Sequence, residues 1–374
     1  MKKSRFLGRC MSRSRFLAPY TMSVFLSVYS GFAQQTQSGN KDTTIPKNKV
    51  IATVAVGQDP SGIVVSPDSS TIYVANLQSN SVTVIDANNN YAVKATITGL
   101  DFPVDLAINQ AGTILYVTNG SFPGGSVPGI VSVIDTTQAN YPITASITIG
   151  SFPQGLALSP DGKTLYVANR GDFGQAVSEA SVSVIDTATN QVIATLDTPG
   201  NPCSVLFTDA GRQADVLSLG GTGFLQFIDT TTKAFLPFLG GEQIVYSPAG
   251  MIADRGGATL YIANYENYVL VVRPDNGAVT KEILAAPDPF TLVRLGQPAL
   301  TPDGRYLYVP YIVNLTTFTG NVVVMIDVRS GQIVGTPITV GNVPFWAQIA
   351  PNGRTLYVDS NPANNVTVID ITPQ

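Results

Sequence analysis

The chain has 374 residues, 44% of them hydrophobic and only 12% charged, with 21 Lys and Arg against 25 Asp and Glu and no histidine. That balance calls for a large packed interior. It also excludes Ser-His-Asp and Cys-His catalysis, histidine-ligated zinc, copper or haem, and a general base of near-neutral intrinsic pKa.

The chain begins with a basic leader. Lys2, Lys3, Arg5, Arg9, Arg13 and Arg15 precede an apolar run from Phe16 to Ala33 that closes on Gly31 and Ala33. This order predicts a secretory signal over 1–33, cleaved near Ala33–Gln34. Pro19, Tyr20, Thr21, Ser23, Ser27 and Ser30 make the run too polar for a spanning helix, so no transmembrane anchor is expected after cleavage. Cys10 stands before the apolar run, which argues against a lipid-modified cysteine. A polar linker, 34–48, follows, and 49–374 reads as a single domain. Loss of the six leader cations leaves fifteen Lys and Arg against 25 acids, a formal charge of about −10. A net acidic chain argues against nucleic acid as a partner. Cys203 is then the one remaining cysteine, so no internal disulfide can form, and it reads as a small buried hydrophobe.

From Ser66 onward one motif recurs. SPDSSTIYVANL at Ser66 has relatives beginning at Asn109, Ser159, Thr301 and Ala350, and looser copies at Thr208 and Ala253. The motif tyrosines are Tyr73, Tyr116, Tyr166, Tyr261, Tyr308 and Tyr357, with Val216 as their counterpart in the fourth copy, at intervals of 43 to 50 residues. Copy three shows the grammar. Gly155–Leu158 leads into a Pro160-Asp161-Gly162 turn, and the runs Thr164–Asn169, Ser181–Asp186 and Val192–Leu196 follow. Four short β-branched runs at this period predict an all-β chain, a seven-bladed β-propeller with four antiparallel strands per blade. The second and third runs are apolar at nearly every position, as expected of sheets covered by neighbours on both faces. The last copy stops at its third strand, Asn365–Ile371, while an orphan run, Val50–Val56, has the fourth-strand pattern. The N-terminal strand is therefore expected to complete the last blade and remove an open edge. Asp86, Asp135, Asp186, Asp229, Asp327 and Asp370 recur after the third strand as turn-makers, and Asn169 ends its strand where its amide can satisfy loop backbone. Residues present in every blade are frame; a catalytic group appears once.

Tyr116-Val117-Thr118-Asn119 spells the tetrapeptide of the YVTN family of β-propeller repeats, which the chain resembles from Val50 to Ile371. Blade four departs, with Val216-Leu217-Ser218-Leu219, as do blades six and seven after Tyr-Val. The resemblance implies the propeller fold and export. The wider group spans surface-layer proteins, lactonase-like enzymes, quinoprotein and haem-enzyme relatives and small propellers proposed to bind single-stranded DNA, so it does not by itself imply an activity.

In a propeller the second-to-third connections and the entries into each new blade share one face. The long connections fall there: Gly120–Gly129, Arg170–Ala180 and Pro310–Asn321. Entry loops marked by Pro60, Pro103, Pro153, Pro202, Pro248 and Pro344 reach the same face. Candidate ligand-binding residues are those beside these loops that do not repeat: Asp59, Phe102, Asp105, Phe152, Gln154, Arg170, Arg294, Gln297, Phe345 and Trp346. Phe102, Phe152, Phe345 and Trp346 read either as an aromatic rim for a sugar or peptide or as packing between blades. Asp105 and Arg294 place charge where other blades carry small residues. Arg170-Gly171-Asp172 spells an adhesion tripeptide that chance explains. The resulting expectation is an exported, periplasmic or cell-surface propeller, non-catalytic and without a cofactor. It would bind a small molecule, glycan or protein through its loop-rich face. The alternatives are a lactonase-like hydrolase using carboxylates with or without a divalent cation, and single-stranded DNA binding, which the charge disfavours.

Overall fold

Runs such as Thr164-Leu-Tyr-Val-Ala-Asn169, β-branched or aromatic and bounded by turn formers, have nowhere to bury both faces except between two other sheets. In the computed structural model they do so seven times. The described residues are 45–120, 128–171, 179–219, 223–237, 248–264, 267–286, 293–312 and 320–374. Contacts divide the chain into Met1–Thr43 and Thr44–Gln374. All described residues belong to the second unit; the expected signal, its cleavage point and Cys10 lie outside them.

Each blade carries four antiparallel strands, named a to d from the axis outward. Blade three shows the pattern: a, Pro153–Leu158; b, Thr164–Asn169; c, Ser181–Asp186; d, Gln191–Asp197. Strands b and c are buried almost throughout, and strand d is mostly exposed. The a–b turn closes as expected: Gly162 has φ +70°, and Asp161 accepts hydrogen bonds from Ser159 Oγ (2.7 Å) and Lys163 N (3.1 Å). In blade six the inner and outer strands are each interrupted, Arg294–Leu295 and Ala299–Leu300 inside, Gln332–Ile333 and Ile338–Thr339 outside.

The hydrophobic core is distributed over seven seams, one between each pair of neighbouring blades. Alternation along strand b supplies both sides. Leu165 and Val167 pack into the seam with blade two, and Tyr166 into the seam with blade four. Every motif tyrosine points forward in this way, and burial pushes the hydroxyls of Tyr73 and Tyr166 up to about 12. Each fully buried aliphatic side chain contributes roughly 1.5–3 kcal/mol, so the seams hold the ring together.

The ring closes as expected. Lys49–Ala55 is strand d of blade seven and pairs with Asn365–Asp370, outside Thr355–Ser360 and Ala347–Ile349. The tie extends beyond the strand: Lys47 N donates to Thr372 O (3.0 Å) and Gln374 N to Ile45 O (3.1 Å), so the last residues assigned to the linker, 45–48, already belong to the closure.

One expectation is corrected and another extended. Leu206 of blade four faces Asp215, as Ala157 of blade three faces Tyr166, so Asp215 and not Val216 occupies the tyrosine position. The departing tetrapeptide is then Asp215-Val216-Leu217-Ser218. The terminal asparagine of strand b satisfies backbone as read, Asn119 Oδ1 accepting Asp101 N (3.3 Å) and Asn264 Oδ1 accepting Tyr268 N (3.1 Å), and it does more. Asn169 Nδ2 donates to Ser181 Oγ (3.1 Å) and Ser183 Oγ (2.8 Å), and Asn76 Nδ2 to Ser81 Oγ (3.3 Å) and Thr83 Oγ1 (2.9 Å). The amide is thus also stitched to hydroxyls on strand c, as Asn119 Nδ2 is to Ser132 Oγ (3.0 Å). The turn-making aspartates act as read: Asp186, for example, accepts from Ala188 N and Thr189 N.

Candidate functional site

Strand a does not run straight. In blades one to five the a–b register slips just after the entry proline, between Pro153 and Leu156 in blade three. Such bulges re-aim side chains. Here they turn the second residue after the proline towards the axis. Register places seven residues at this level, one per blade: Gly62, Asp105, Gly155, Ser204, Gly250, Gln297 and Trp346. Glycine alternates with larger residues for a steric reason. A Cβ on Gly155 would lie 2.7 Å from Cys203 O and 2.8 Å from Ser204 Cα in the next blade, so blade three yields the space its neighbour fills.

Above this level opens an axial funnel of about 440 Å³ on the loop face; below it lies a further cavity of about 250 Å³ whose lining adds Ile63, Leu106, Leu156, Met251 and Gln348. Asp105, Ser204, Gln297 and Trp346 line both and form the waist. Eight of the ten candidates converge on the funnel: Asp59, Asp105, Gln154, Arg170, Arg294, Gln297, Phe345 and Trp346. Phe102 and Phe152 do not line it. They stand immediately before entry prolines with φ of 46° and 50°, and their carbonyls accept from Gly120 N (3.0 Å) and Arg170 N (3.0 Å). Asp59, at the same position in blade one, has φ 59° and accepts Leu77 N (2.8 Å). The four aromatics therefore do not form one rim: blade seven carries Phe345 and Trp346 one and two residues after its proline, and the other two stand one residue before theirs.

The waist is held rigidly. Asp105 is 7% exposed; its Oδ1 accepts Leu106 N (2.8 Å) and its Oδ2 accepts Leu156 N from blade three (3.4 Å). Burial pushes its carboxyl up to about 7, against the pull of those two amides. Thr118 Oγ1 accepts Asp105 N (3.0 Å) and donates to Gln154 O (3.0 Å), so the threonine of the tetrapeptide joins blades two and three. Gln297 Nε2 donates to Met251 O (2.8 Å), and its backbone N to Phe345 O (2.7 Å). Trp346 N donates to Asp359 Oδ1 (2.7 Å), as does Phe345 N (2.9 Å). Asp359 is fully buried, its Oδ2 has no hydrogen-bond partner among the described residues, and burial pushes it up to about 7, with the Asp59 charge adding to the rise. Asn361 Nδ2 in turn donates to Asp59 Oδ1.

At the mouth the Arg170 guanidinium lies 5.9 Å from the Phe152 ring centroid and that of Arg294 lies 5.7 Å from Phe345. Cys203 is half-buried on the funnel wall. Its thiol donates to Leu217 O (3.3 Å), and burial pushes it up to about 12, well away from reactivity. Ser61, Ser204 and Asn361 also line the funnel and were missed in the sequence. For the two serines, the offset from the entry prolines is the signal that finds them. The middles of the long connections, 121–127, 172–178 and 313–319, lie outside the described residues, as does Asp172 of the adhesion tripeptide. Among the described residues no group of three or more Cys, Asp or Glu side chains is placed to hold a metal ion, and no helix is long and apolar enough to cross a membrane.

No curated protein matches the chain. Among solved structures, a chain of hydrazine synthase from Kuenenia stuttgartiensis is similar, with a TM-score of 0.70 and 22% identity over 92% of this chain and 100% of that one. That identity carries the fold and not the chemistry. The family model described as Choice-of-anchor I domain matches residues 63–267, from strand a of blade one to the b–c connection of blade five. With more than half of its length matched, the chain belongs to the Choice-of-anchor I domain family.

Proposed function

We propose that the protein is an exported, surface-associated and non-catalytic propeller that binds a ligand in the axial funnel of its loop face. The observation that carries this reading is convergence: residues that break the repeat, drawn from blades one, two, three, six and seven, line one funnel. The funnel has the size and mixed polarity of a small-molecule site. The family description, with its reference to anchoring, and the basic-apolar leader support a place at the cell surface. A glycan or a peptide end is compatible with Phe345, Trp346 and the amides of Gln154 and Gln297.

A second reading, a lactonase-like hydrolase in the manner of some YVTN-type propellers, is favoured by one observation. Asp105, at the waist, is tuned near 7 by burial, where a carboxyl can exchange a proton. Single-stranded DNA is disfavoured, since among the described residues the exposed Asp101, Glu179 and Asp197 and the half-buried Asp59 stand towards the loop face against two arginines.

Trp346 is the only tryptophan in the chain and lines the funnel, so its emission reports occupancy. The test is to titrate the full chain with short oligosaccharides, peptides, organic acids, lactones, divalent cations and single-stranded DNA. A saturable change with one class and no turnover is the expected result. Lactone hydrolysis that Asp105→Ala abolishes would replace this reading with the second.

A further inference from the structure

We propose that the axial funnel recognises a small organic carboxylate, with Arg170 and Arg294 as the groups that take its charge and Phe345 and Trp346 as the surface for its apolar body. The inference rests on the reading of the funnel as a ligand site and names what that site selects.

The cations of the ring are segregated. Between Ile45 and Gln374 the lysines and arginines fall on the a–b and c–d turns, on the outer strands or beside the ring closure, with two exceptions. Arg170 follows strand b of blade three, Arg294 opens strand a of blade six, and both line the funnel. The internal segments outside the described residues contain no lysine or arginine in sequence. A face whose described acids are Asp59, Asp101, Asp105, Glu179, Asp197 and Asp359 thus concentrates its positive charge in one cavity. Solubility does not require that arrangement, because the face is already strongly charged.

Each guanidinium lies over an aromatic ring, Phe152 or Phe345, at cation–π distance. Arginine offers five N–H donors in a rigid plane that matches a carboxylate. Arg170 is further braced because its backbone N donates to Phe152 O (3.0 Å) and its carbonyl accepts Asn201 Nδ2 (2.8 Å).

Two acids among the described residues line the funnel: Asp59, engaged by Asn361, and Asp105, which receives two amide N–H groups and is held near 7 by burial. Asp105 therefore opposes an incoming anion less than an exposed carboxylate would, and two guanidiniums line the same cavity as Asp59. The ligand body would lie against Phe345 and Trp346 above the waist, and its length is limited by the 440 Å³ available.

Three probes with one ring and different charge test the sign. Benzoate, benzamide and benzylamine are titrated against the full chain, following Trp346 emission and, independently, saturation-transfer NMR of the probe. Benzoate is expected to saturate at millimolar concentration or below and to bind at least tenfold more tightly than benzamide or benzylamine. Arg170→Gln and Arg294→Gln are each expected to weaken benzoate at least tenfold at unchanged melting temperature, and the Lys variants to lose less than the Gln variants. Equal binding of benzamide, preference for benzylamine, or benzoate affinity unmoved in both Gln variants would overturn the inference. So would the absence of benzoate binding at about 10 mM, a concentration that exposes even weak affinities. An oligosaccharide or peptide that still moves Trp346 emission in that case leaves the ligand-site reading standing without the carboxylate. Silence of every class removes both.

Discussion

The two ends of the ring are made from the same seven repeats and obey different rules. On the turn face most blades solve the same local problem in the same way. Asp161 ties the a–b turn of blade three, Asp186 ties its c–d turn, and ion pairs such as Lys163–Asp161 (3.6 Å) and Arg212–Asp209 (2.6 Å) decorate exposed positions. Hydrogen bonds lower the carboxyls of Asp68, Asp135, Asp161 and Asp186 below their ordinary value. On the loop face the corresponding level carries Gly, Asp, Gly, Ser, Gly, Gln and Trp in turn, and burial raises Asp105 and Asp359. Exposed carboxylates answer to neighbouring N–H and O–H groups. Buried ones answer first to the loss of water. Repetition therefore marks the frame, and its breakdown marks the cavity.

Sterics at the axial level give the most severe test of this contrast. Gly155→Leu drives a side chain into the backbone at Cys203 and Ser204, and is expected to cost about 3 kcal/mol; calorimetric or denaturant unfolding gives the figure. An unchanged melting temperature would show that the axial level is not close-packed. Next in size is Asp359→Ala, which leaves Phe345 N and Trp346 N without their acceptor. A loss of about 2 kcal/mol is expected, with a shift in Trp346 emission that a turn-face substitution would not produce. Proton linkage gives an intermediate effect. Asp105, Asp215 and Asp359 are all raised to about 7, so the folded chain holds protons that the unfolded chain releases at about 4. Their contribution to stability is complete below the unfolded value and is lost as pH rises through about 7. Melting temperature should fall as pH rises from about 4 to about 8, and Asp105→Asn should flatten that slope. The lowered turn-face carboxylates act in the opposite sense, losing their contribution only as pH falls below about 4. The smallest effect belongs to Asp161→Ala, which removes the bonds to Ser159 and Lys163 at an exposed turn. Unfolding should register about 1 kcal/mol or less and no change at Trp346.

The blades were legible because each announces itself locally. The Pro160-Asp161-Gly162 turn needs a positive φ, and Thr164–Asn169 needs two covered faces; both requirements are written in adjacent residues. Blade four was misaligned by one because Asp215 replaces the tyrosine, and an apolar neighbour, Val216, looked like the better substitute. Only strand pairing shows that Asp215 stands opposite Leu206. Phe102 and Phe152 were grouped with Phe345 and Trp346 because all four stand near entry prolines. Sequence proximity does not distinguish the residue before the proline, whose carbonyl caps the next strand, from the second residue after it, which a bulge aims at the axis.

By itself, then, the sequence determined the all-β class, the number of blades, the turn chemistry and the closure by the N-terminal strand, since periodicity and turn formers act through near neighbours. The tertiary structure decided which departures from the repeat meet. Asp105 and Trp346, far apart in the chain, share one waist because closing the ring brings the inner strands of its blades around a common axis, a distance that no local pattern encodes.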